Sequence, residues 1–495
     1  MKSVGVLPQV RLLMDGEAIK ASAAAALASV RVRQRLSLPS LCELTFSLRT
    51  ESTEGLPRVG TTLELRVEDD ALLFKGEVTA VEHSSRTHTG RVLRVRAYDA
   101  LHRLRKSQPV KAHAQFTAAD LARELAGALD LEVDAADEGR TIARWVQHRQ
   151  NDLDFLAEVC ARSGLYLVVE GDTLFLVQLQ GGEEDAVELE LGDTLFEGRI
   201  DVNAETLCRS VAIRGWNPQR AASHEASIDR DETPVELSDA VDVERTLTDE
   251  LLTDDAEAEA IAHAELARRD HGLVDVWGIA EGNAQLRPGA TVKISGIADE
   301  PRSAVLTAVD HTIERPTGFR SEFSNPTPRI RTRDRAAVTA LGVVTSVEDP
   351  DNLGRVKLSL PAYDDVETEW LPVVTAGAGA AKGFVAIPDV DDSVVAVFPR
   401  GEPGLGFVIG SLYKDAHPDP GIDGGRVRRY SFLTPNGQKL TLDDTRDAIR
   451  IENKQGSFIE MLPDKLTIHA ATDLDVEAPG RTVTIRGKLI NFERA

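Results

Sequence analysis

The sequence predicts a mainly β protein with a few inserted helices, and three observations carry this. Apolar residues alternate with polar ones over short runs, as at Leu63, Leu65 and Val67, with further strand-like positions at Val92 and Val95. Only three stretches hold the apolar spacing of a helix. Two segments 228–229 residues apart repeat each other. The full expectation is two β-barrels with a helical insertion, a third small barrel, and a C-terminal β-prism built by three chains.

Length and composition bound the rest. At roughly 100–200 residues per domain, 495 residues predict three or four domains. Hydrophobic residues (42%) suffice for packed cores, and 28% charged residues is ordinary for a folded chain. No apolar run approaches the ~18–20 residues that span a bilayer as a helix. The small-residue run from Ala21 to Ala28 is interrupted by Ser22 and followed by Arg31, Arg33 and Arg35, so it lacks a signal-peptide core. Cys42, Cys160 and Cys208 lie far apart, and their odd number predicts free thiols. The formal charge of −24 argues against a general nucleic-acid binder, which needs cationic surface against phosphate. Residues 221–260 hold 14 acidic and 2 basic side chains and read as a solvated loop leading into a helix.

The three helices follow from their spacing and caps. Thr117–Asp130 opens with Thr117 and Asp120 placed as a capping box, with Leu121, Leu125 and Leu129 on one face. Asn151–Ser163 sets Phe155, Leu156, Val159 and Cys160 on one face and stops at Gly164. Asp254–Asp270 carries Ile261 and Leu266 among Ala, Glu and Arg, and Gly272 follows. Around them lies the repeat. Val59-Gly60-Thr61-Thr62-Leu63-Glu64-Leu65 resembles Pro288-Gly289-Ala290-Thr291-Val292-Lys293-Ile294, and Thr79-Ala80-Val81-Glu82-His83 resembles Thr307-Ala308-Val309-Asp310-His311. Two matches in one order predict two copies of a small β-barrel, with His83 and His311 as repeated structural residues.

A Pro-, Arg-, Ser- and Thr-rich stretch over 315–338 reads as a linker. Five short strands then fit a closed barrel of the OB type. Val343 and Val344 open it, and Asp349-Pro350-Asp351-Asn352-Leu353-Gly354 makes a turn. Val356, Leu358 and Leu360 follow, then Trp370–Val374, Val395 with Val397, and Phe407–Ile409. In the last 65 residues apolar pairs separated by one residue recur: Leu440/Leu442, Ile449/Ile451, Ile459/Met461, Leu466/Ile468, Leu474/Val476 and Val483/Ile485. Their starts are 9, 10, 7, 8 and 9 residues apart. Such short strands cannot bury their own apolar face or close their own edges. Three copies around one axis solve both problems, with these twelve residues as the trimer core. The alternative is a single-chain antiparallel sheet, but no nearby helix could cover its face. Seven strands at ~4.8 Å each would make a prism about 30–40 Å long.

These residues resemble a known family. Val344 to Lys357, Glu369-Trp370, the Ala376-Gly377 and Gly383 loop, Pro388 to Asp392, and Val408 to Tyr413 resemble the OB module of VgrG proteins and phage baseplate spikes. Asn151 to Leu156 with Gly164, Gly215-Trp216 and Pro288-Gly289 resemble the late-control protein D hub family. The resemblance implies a hub over 1–330, a linker over 331–338, the OB module over 339–414, a neck over 415–430 and a triple-stranded β-helix over 431–495. It also implies a homotrimer that plugs the inner tube of a contractile injection system and pierces the target envelope. The partners implied are the inner tube protein, baseplate proteins, effector cargo, the target membrane in passing, and a PAAR-like tip protein on Ile490, Asn491 and Phe492. Synthesis in the bacterial cytoplasm without a signal peptide is expected, in a phage-tail-like particle released extracellularly. A type VI secretion tip or a phage baseplate spike is the alternative.

Only about 17 residues, Lys414 to Tyr430, separate OB module and prism, which leaves no room for the lysozyme some phage spikes carry. His469 stands alone, without the His-x-His of a metal-binding tip. There is no GxSxG, and His263 and His271 on the third helix are eight apart, outside the HExxH spacing. Gly377 to Gly383 lacks the GK[ST] of a phosphate cradle. Trp370–Arg400 has one basic residue, Lys382, before its final Arg, which is poor for a nucleic-acid groove. The expectation is therefore no catalytic residue, no metal and no cofactor. A spike that also degrades envelope polymer is the less favoured reading.

Overall fold

The computed structural model describes residues 9–48, 55–68, 70–86, 90–181, 186–230, 243–315, 317–332, 335–414 and 418–493. Strands dominate, as the alternation predicts. Contacts divide the chain into two compact units, Met1–Leu412 and Tyr413–Ala495.

The largest element of the first unit is an eleven-stranded sheet. Across it run Leu195–Val202, Val274–Glu281, Gly318–Ser324, Ala308–Glu314, Leu27–Arg35, Leu38–Leu48, Gly90–Tyr98, Ala71–Arg86, Thr62–Val67, Val10–Met14 and Glu17–Ala18. The repeat seen in the sequence holds at the level of register. His83 faces Leu93 and His311 faces Ser321, so both strands of each pair shift by the same 228 residues. The turns match as well. Gly60 N–H donates to Val78 O (2.8 Å) and Val78 N–H to Thr61 O (2.9 Å); Gly289 N–H donates to Leu306 O (2.7 Å) and Leu306 N–H to Ala290 O (2.9 Å). Both glycines need a left-handed backbone, at φ +89° and +87°, where a Cβ would strain the turn. The two histidines share a register but not an environment. His83 is exposed, whereas His311 is buried and bonds Ser321 Oγ through Nδ1 (2.9 Å).

The three helices form where their caps place them, at Ala118–Gly127, Asp152–Arg162 and Asp255–His271. Thr117 and Asp120 make the reciprocal capping box, and Asn151 and Asp254 cap the other two. The first two share a core in which Leu121, Leu153, Phe155 and Leu156 are buried. The third rests Ala258, Ala262 and Leu266 on the sheet containing Ser210–Asn217. A short helix, Ala21–Ala26, occupies the small-residue run. The acidic stretch corrects the sequence reading. Ala222–Asp229 and Glu244–Leu251 are strands flanking Ser210–Asn217, because cross-strand hydrogen bonds outweigh the solvation preference of their charged side chains. Its central residues 231–242 lie outside the described residues.

The five-stranded sheet over 338–412 runs Val366–Glu367, Lys357–Leu360, Val338–Ser346, Ser393–Phe398 and Phe407–Leu412. Trp370–Val374 is not a strand; single bridges pair Leu371 with Val356 and Val373 with Val408, and these draw the two edges together. Val344, Leu358, Leu360, Val394, Phe398 and Val408 form its core. This sheet belongs to the same compact unit as the residues before it. Val146 N–H donates to Glu402 Oε1 (3.1 Å), Trp216 stacks on Phe407 (5.6 Å between centroids), and Arg335 and Arg400 both reach Glu250 (3.0 and 2.6 Å).

The second unit holds a five-stranded antiparallel meander: Arg429–Leu433, Lys439–Asp443, Ala448–Glu452, Phe458–Met461 and Leu466–His469. The sequence reading expects seven strands whose edges meet neighbouring chains. The first five instead pair with one another, because short turns make the local partner available first. Leu474/Val476 and Val483/Ile485 lie outside any strand.

Candidate functional site

The meander brings the first four predicted apolar pairs onto one face. Leu440 faces Ile451, and Leu442 faces Ile449. Ile449 in turn faces Met461, and Ile451 faces Ile459. Ile459 faces Ile468, and Met461 faces Leu466. A period of two residues forces this, since side chains of one strand alternate between faces. The burial is inverted relative to an ordinary sheet. Leu440 and Leu442 are more exposed than Lys439, Thr441 and Asp443 beside them. Across these eight residues exposure runs from 38% to 61%.

The opposite face is finished. Arg450 pairs with Glu452 (2.9 Å) and Glu460 (3.4 Å) and lies over the Phe458 ring, which stacks on His469. So one face is a satisfied polar surface and the other is bare hydrocarbon. Burying a large aliphatic side chain fully is worth about 1.5–3 kcal/mol, so a bare face of this size favours association. The face also includes Tyr430 and Phe432, which face Leu442 and Leu440. The sequence reading placed Tyr430 in the neck and missed both residues, although Tyr430-x-Phe432 carries the same one-residue spacing. Leu474, Val476, Val483 and Ile485 are exposed, and so are Ile490, Asn491 and Phe492, the last at 89%. No strand holds these seven residues.

In the OB-type sheet the predicted turn is fastened by one carboxylate. Asp349 accepts from the backbone N–H of Asp351 (3.1 Å), Leu353 (2.9 Å) and Arg355 (3.3 Å). It also accepts from Arg355 Nε (2.9 Å) and Nη2 (2.5 Å). The Arg355 guanidinium, with those N–H groups, holds the Asp349 carboxyl far below the usual carboxylate range. Gly354 sits at φ +71° with Ile387 against the position a Cβ would take. A second apolar surface, which the sequence did not single out, follows from the long loop: Phe384, Val385, Ile387 and Val390 are exposed there, beside Leu353.

The other chemistry is structural in character. Cys42, Cys160 and Cys208 are free and buried, and burial pushes the Cys42 and Cys160 thiols up, which makes them poor nucleophiles. His271 Nε2 donates to Asn325 O (2.9 Å), while His263 is exposed. Among the described residues no three His, Cys, Asp or Glu side chains gather as metal ligands. Among them, too, no helix is long and apolar enough to cross a membrane.

Two family models match the chain. One describes the type VI secretion system and phage-baseplate injector OB domain and covers residues 340–413. The other describes the Alg8 N-terminal domain and covers residues 60–315, just over half of the chain. The type VI secretion system spike protein VgrG4b of Pseudomonas aeruginosa is 29% identical over 165 residues, which are 32% of this chain and 19% of that protein. The match thus spans about a fifth of that relative's length. Among solved structures, VgrG in the lidded Francisella PdpA-VgrG complex superposes with a TM-score of 0.59 at 10% identity, covering 94% of this chain and 81% of that one. An E. coli component of the type VI secretion system, similar in structure to the T4 tail proteins gp27 and gp5, superposes at 0.52 with 15% identity, covering 81% of this chain and all of that one. At these identities the superpositions show the fold alone, and they agree with the mainly β architecture. With the injector OB domain in place and spike proteins among its relatives, the chain belongs to the VgrG-like family of phage-baseplate and type VI secretion spikes and, across residues 60–315, to the Alg8 N-terminal domain family.

Proposed function

We propose that three copies of this chain form the central hub and spike of a contractile, phage-tail-like injection machine. The bare apolar face of the 429–469 meander carries this reading. Leu440, Leu442, Ile449, Ile451, Ile459, Met461, Leu466 and Ile468 line one side of a sheet whose other side is complete. Three such faces turned inward bury each other, and Leu474, Val476, Val483 and Ile485 join them further along the chain. In this reading the internal repeat gives each chain two near-equivalent barrels. A trimer then offers six positions to a sixfold inner tube. The domain scheme is hub to residue 330, OB module over 339–414 and prism from 431.

The work of penetration comes from the contracting partner, and this chain transmits it. Strands paired on both sides resist axial load because none can peel away without breaking two ladders. We assign no catalytic step, in keeping with relatives that are spike proteins. Ile490, Asn491 and Phe492 are the docking residues for a small PAAR-like tip protein, and the tube and baseplate are the other partners. The Francisella neighbour was solved in complex with PdpA, which supports cargo or accessory proteins carried on the same scaffold. An extracellular particle fits the short prism and the absence of a toxin module in this sequence; a type VI tip or a phage baseplate is the alternative. Sedimentation equilibrium of the purified chain tests the reading directly. Three chains per particle at micromolar concentration is expected, and a well-folded monomer overturns it.

A further inference from the structure

Two strand edges of the large sheet are open, and the internal repeat states what fits them. The first eight strands across the sheet are one four-strand order used twice. The second copy is Leu195–Val202, Val274–Glu281, Gly318–Ser324 and Ala308–Glu314; the first is Leu27–Arg35, Leu38–Leu48, Gly90–Tyr98 and Ala71–Arg86. The equivalence reaches single residues. Thr45 and Ile279 lie opposite the equivalent residues Arg94 and Glu322. Ser29 and Glu197 lie opposite Thr45 and Ile279. Arg31 therefore corresponds to Arg199. The same bulge even recurs, between Leu27 and Ser29 in one copy and between Leu195 and Glu197 in the other.

Within the chain the copies join head to tail. Ala308–Glu314 pairs antiparallel with Leu27–Arg35 through seven residue pairs, Ala308 facing Arg35 and Glu314 facing Ser29. Asp310 closes the joint, held by Arg31 (2.8 Å) and Arg35 (2.6 Å). The counterpart of Ala308–Glu314 is the segment 80–86. It has a neighbour on one side only, because Thr62–Val67 covers Ala71–Arg86 no further than Glu77. The counterpart of Leu27–Arg35 is Leu195–Val202, the outermost strand of the sheet, which pairs with Val274–Glu281 alone. Each open edge is the shape that the joint inside the chain already fills. Open edges of this kind invite a strand from another chain.

We propose that Leu195–Val202 of one chain pairs antiparallel with residues 80–86 of a second copy, in the register that sets Arg199 opposite Ser84 and Ile200 opposite His83. This rests on the threefold reading above and fixes which hub edges meet. The charge at the joint carries over, since Arg199 stands where Arg31 does and Glu82 where Asp310 does. One chain cannot satisfy both of its own edges, which lie at different places along one sheet, whereas a closed ring of copies satisfies every one. The two kinds of joint then alternate, one covalently continuous and one between chains.

Disulfide trapping in the full chain tests the register. Directly opposed residues in an antiparallel pair have Cα atoms about 4.5–5.5 Å apart, within the span of a disulfide. The native cysteines are buried and do not compete. The double substitutions Ser84→Cys with Arg199→Cys, and His83→Cys with Ile200→Cys, sample both alternating kinds of opposed pair. At least one is expected to give covalent dimers and trimers on a non-reducing gel. Ser85→Cys with Arg199→Cys, one residue out of register, is expected to give at least tenfold less. Trimers by sedimentation with neither in-register pair crosslinking would overturn the edge proposal and leave the trimer standing. Equal crosslinking of the shifted pair would overturn the register. A monomeric wild-type chain would overturn both readings together.

Discussion

Replacing Ile451 with aspartate places a charge at the middle of the bare face. In one chain about half of this side chain (51%) stays open to solvent. Covering that half is worth about 1 kcal/mol, taking ~1.5–3 kcal/mol for full burial of a large aliphatic residue. Three chains lose this together, so the apolar loss alone is about 3 kcal/mol per trimer, or roughly a hundredfold in the association constant. The carboxylates add more, since an unpaired charge buried among hydrocarbon costs several kcal/mol beyond the lost contact. Assembly at micromolar concentration is therefore expected to fail, while the isolated sheet stays folded because its ladder hydrogen bonds are untouched. Thr441→Asp is the matched control. It carries the same charge in the adjoining strand, but on the finished face, opposite Arg450. Sedimentation velocity on both variants reads the outcome. Wild-type assembly of Ile451→Asp, or equal failure of Thr441→Asp, would refute the assignment of the inner face.

Two further outcomes follow from buried groups in the first unit. Arg355→Ala leaves the Asp349 carboxylate buried without its guanidinium; it is expected to cost about 3 kcal/mol and to lower the melting temperature by several degrees, and a wild-type melt would contradict the clamp. The second concerns His311, whose imidazole burial pushes from its ordinary 6.5 down to about 4. The unfolded chain then binds the extra proton first, so this group's effect on stability is absent above pH 6.5 and grows as the pH falls toward 4. At pH 5 the linkage amounts to about 2 kcal/mol of lost stability relative to neutral pH. His311→Gln is expected to remove that share of the acid sensitivity in urea titrations at pH 7 and pH 5, and an unchanged difference between the two would count against it.

Much of this was legible in the sequence because it rests on local rules. Thr117 with Asp120, Asn151 and Asp254 sit three residues before the backbone N–H groups they cap, so composition and spacing suffice to start the helices. The one-residue spacing of Leu440/Leu442 and its successors fixes a shared face whatever the strands pair with. Likewise, the near-constant offset between Gly60 and Gly289 and between His83 and His311 betrays a duplication without any coordinates. What stayed hidden depends on partners distant in the chain. Only pairing with Ser210–Asn217 turns the acidic residues 222–229 and 244–251 into strands. Equivalent histidines ended in different surroundings because a neighbouring strand, Leu27–Arg35, flanks one and no strand flanks the other. The order of strands in the large sheet brings residue 31 beside residue 312, and so reveals which edges remain open. Alternation tells a side chain which way to point; only the assembled sheet decides what, if anything, stands opposite it.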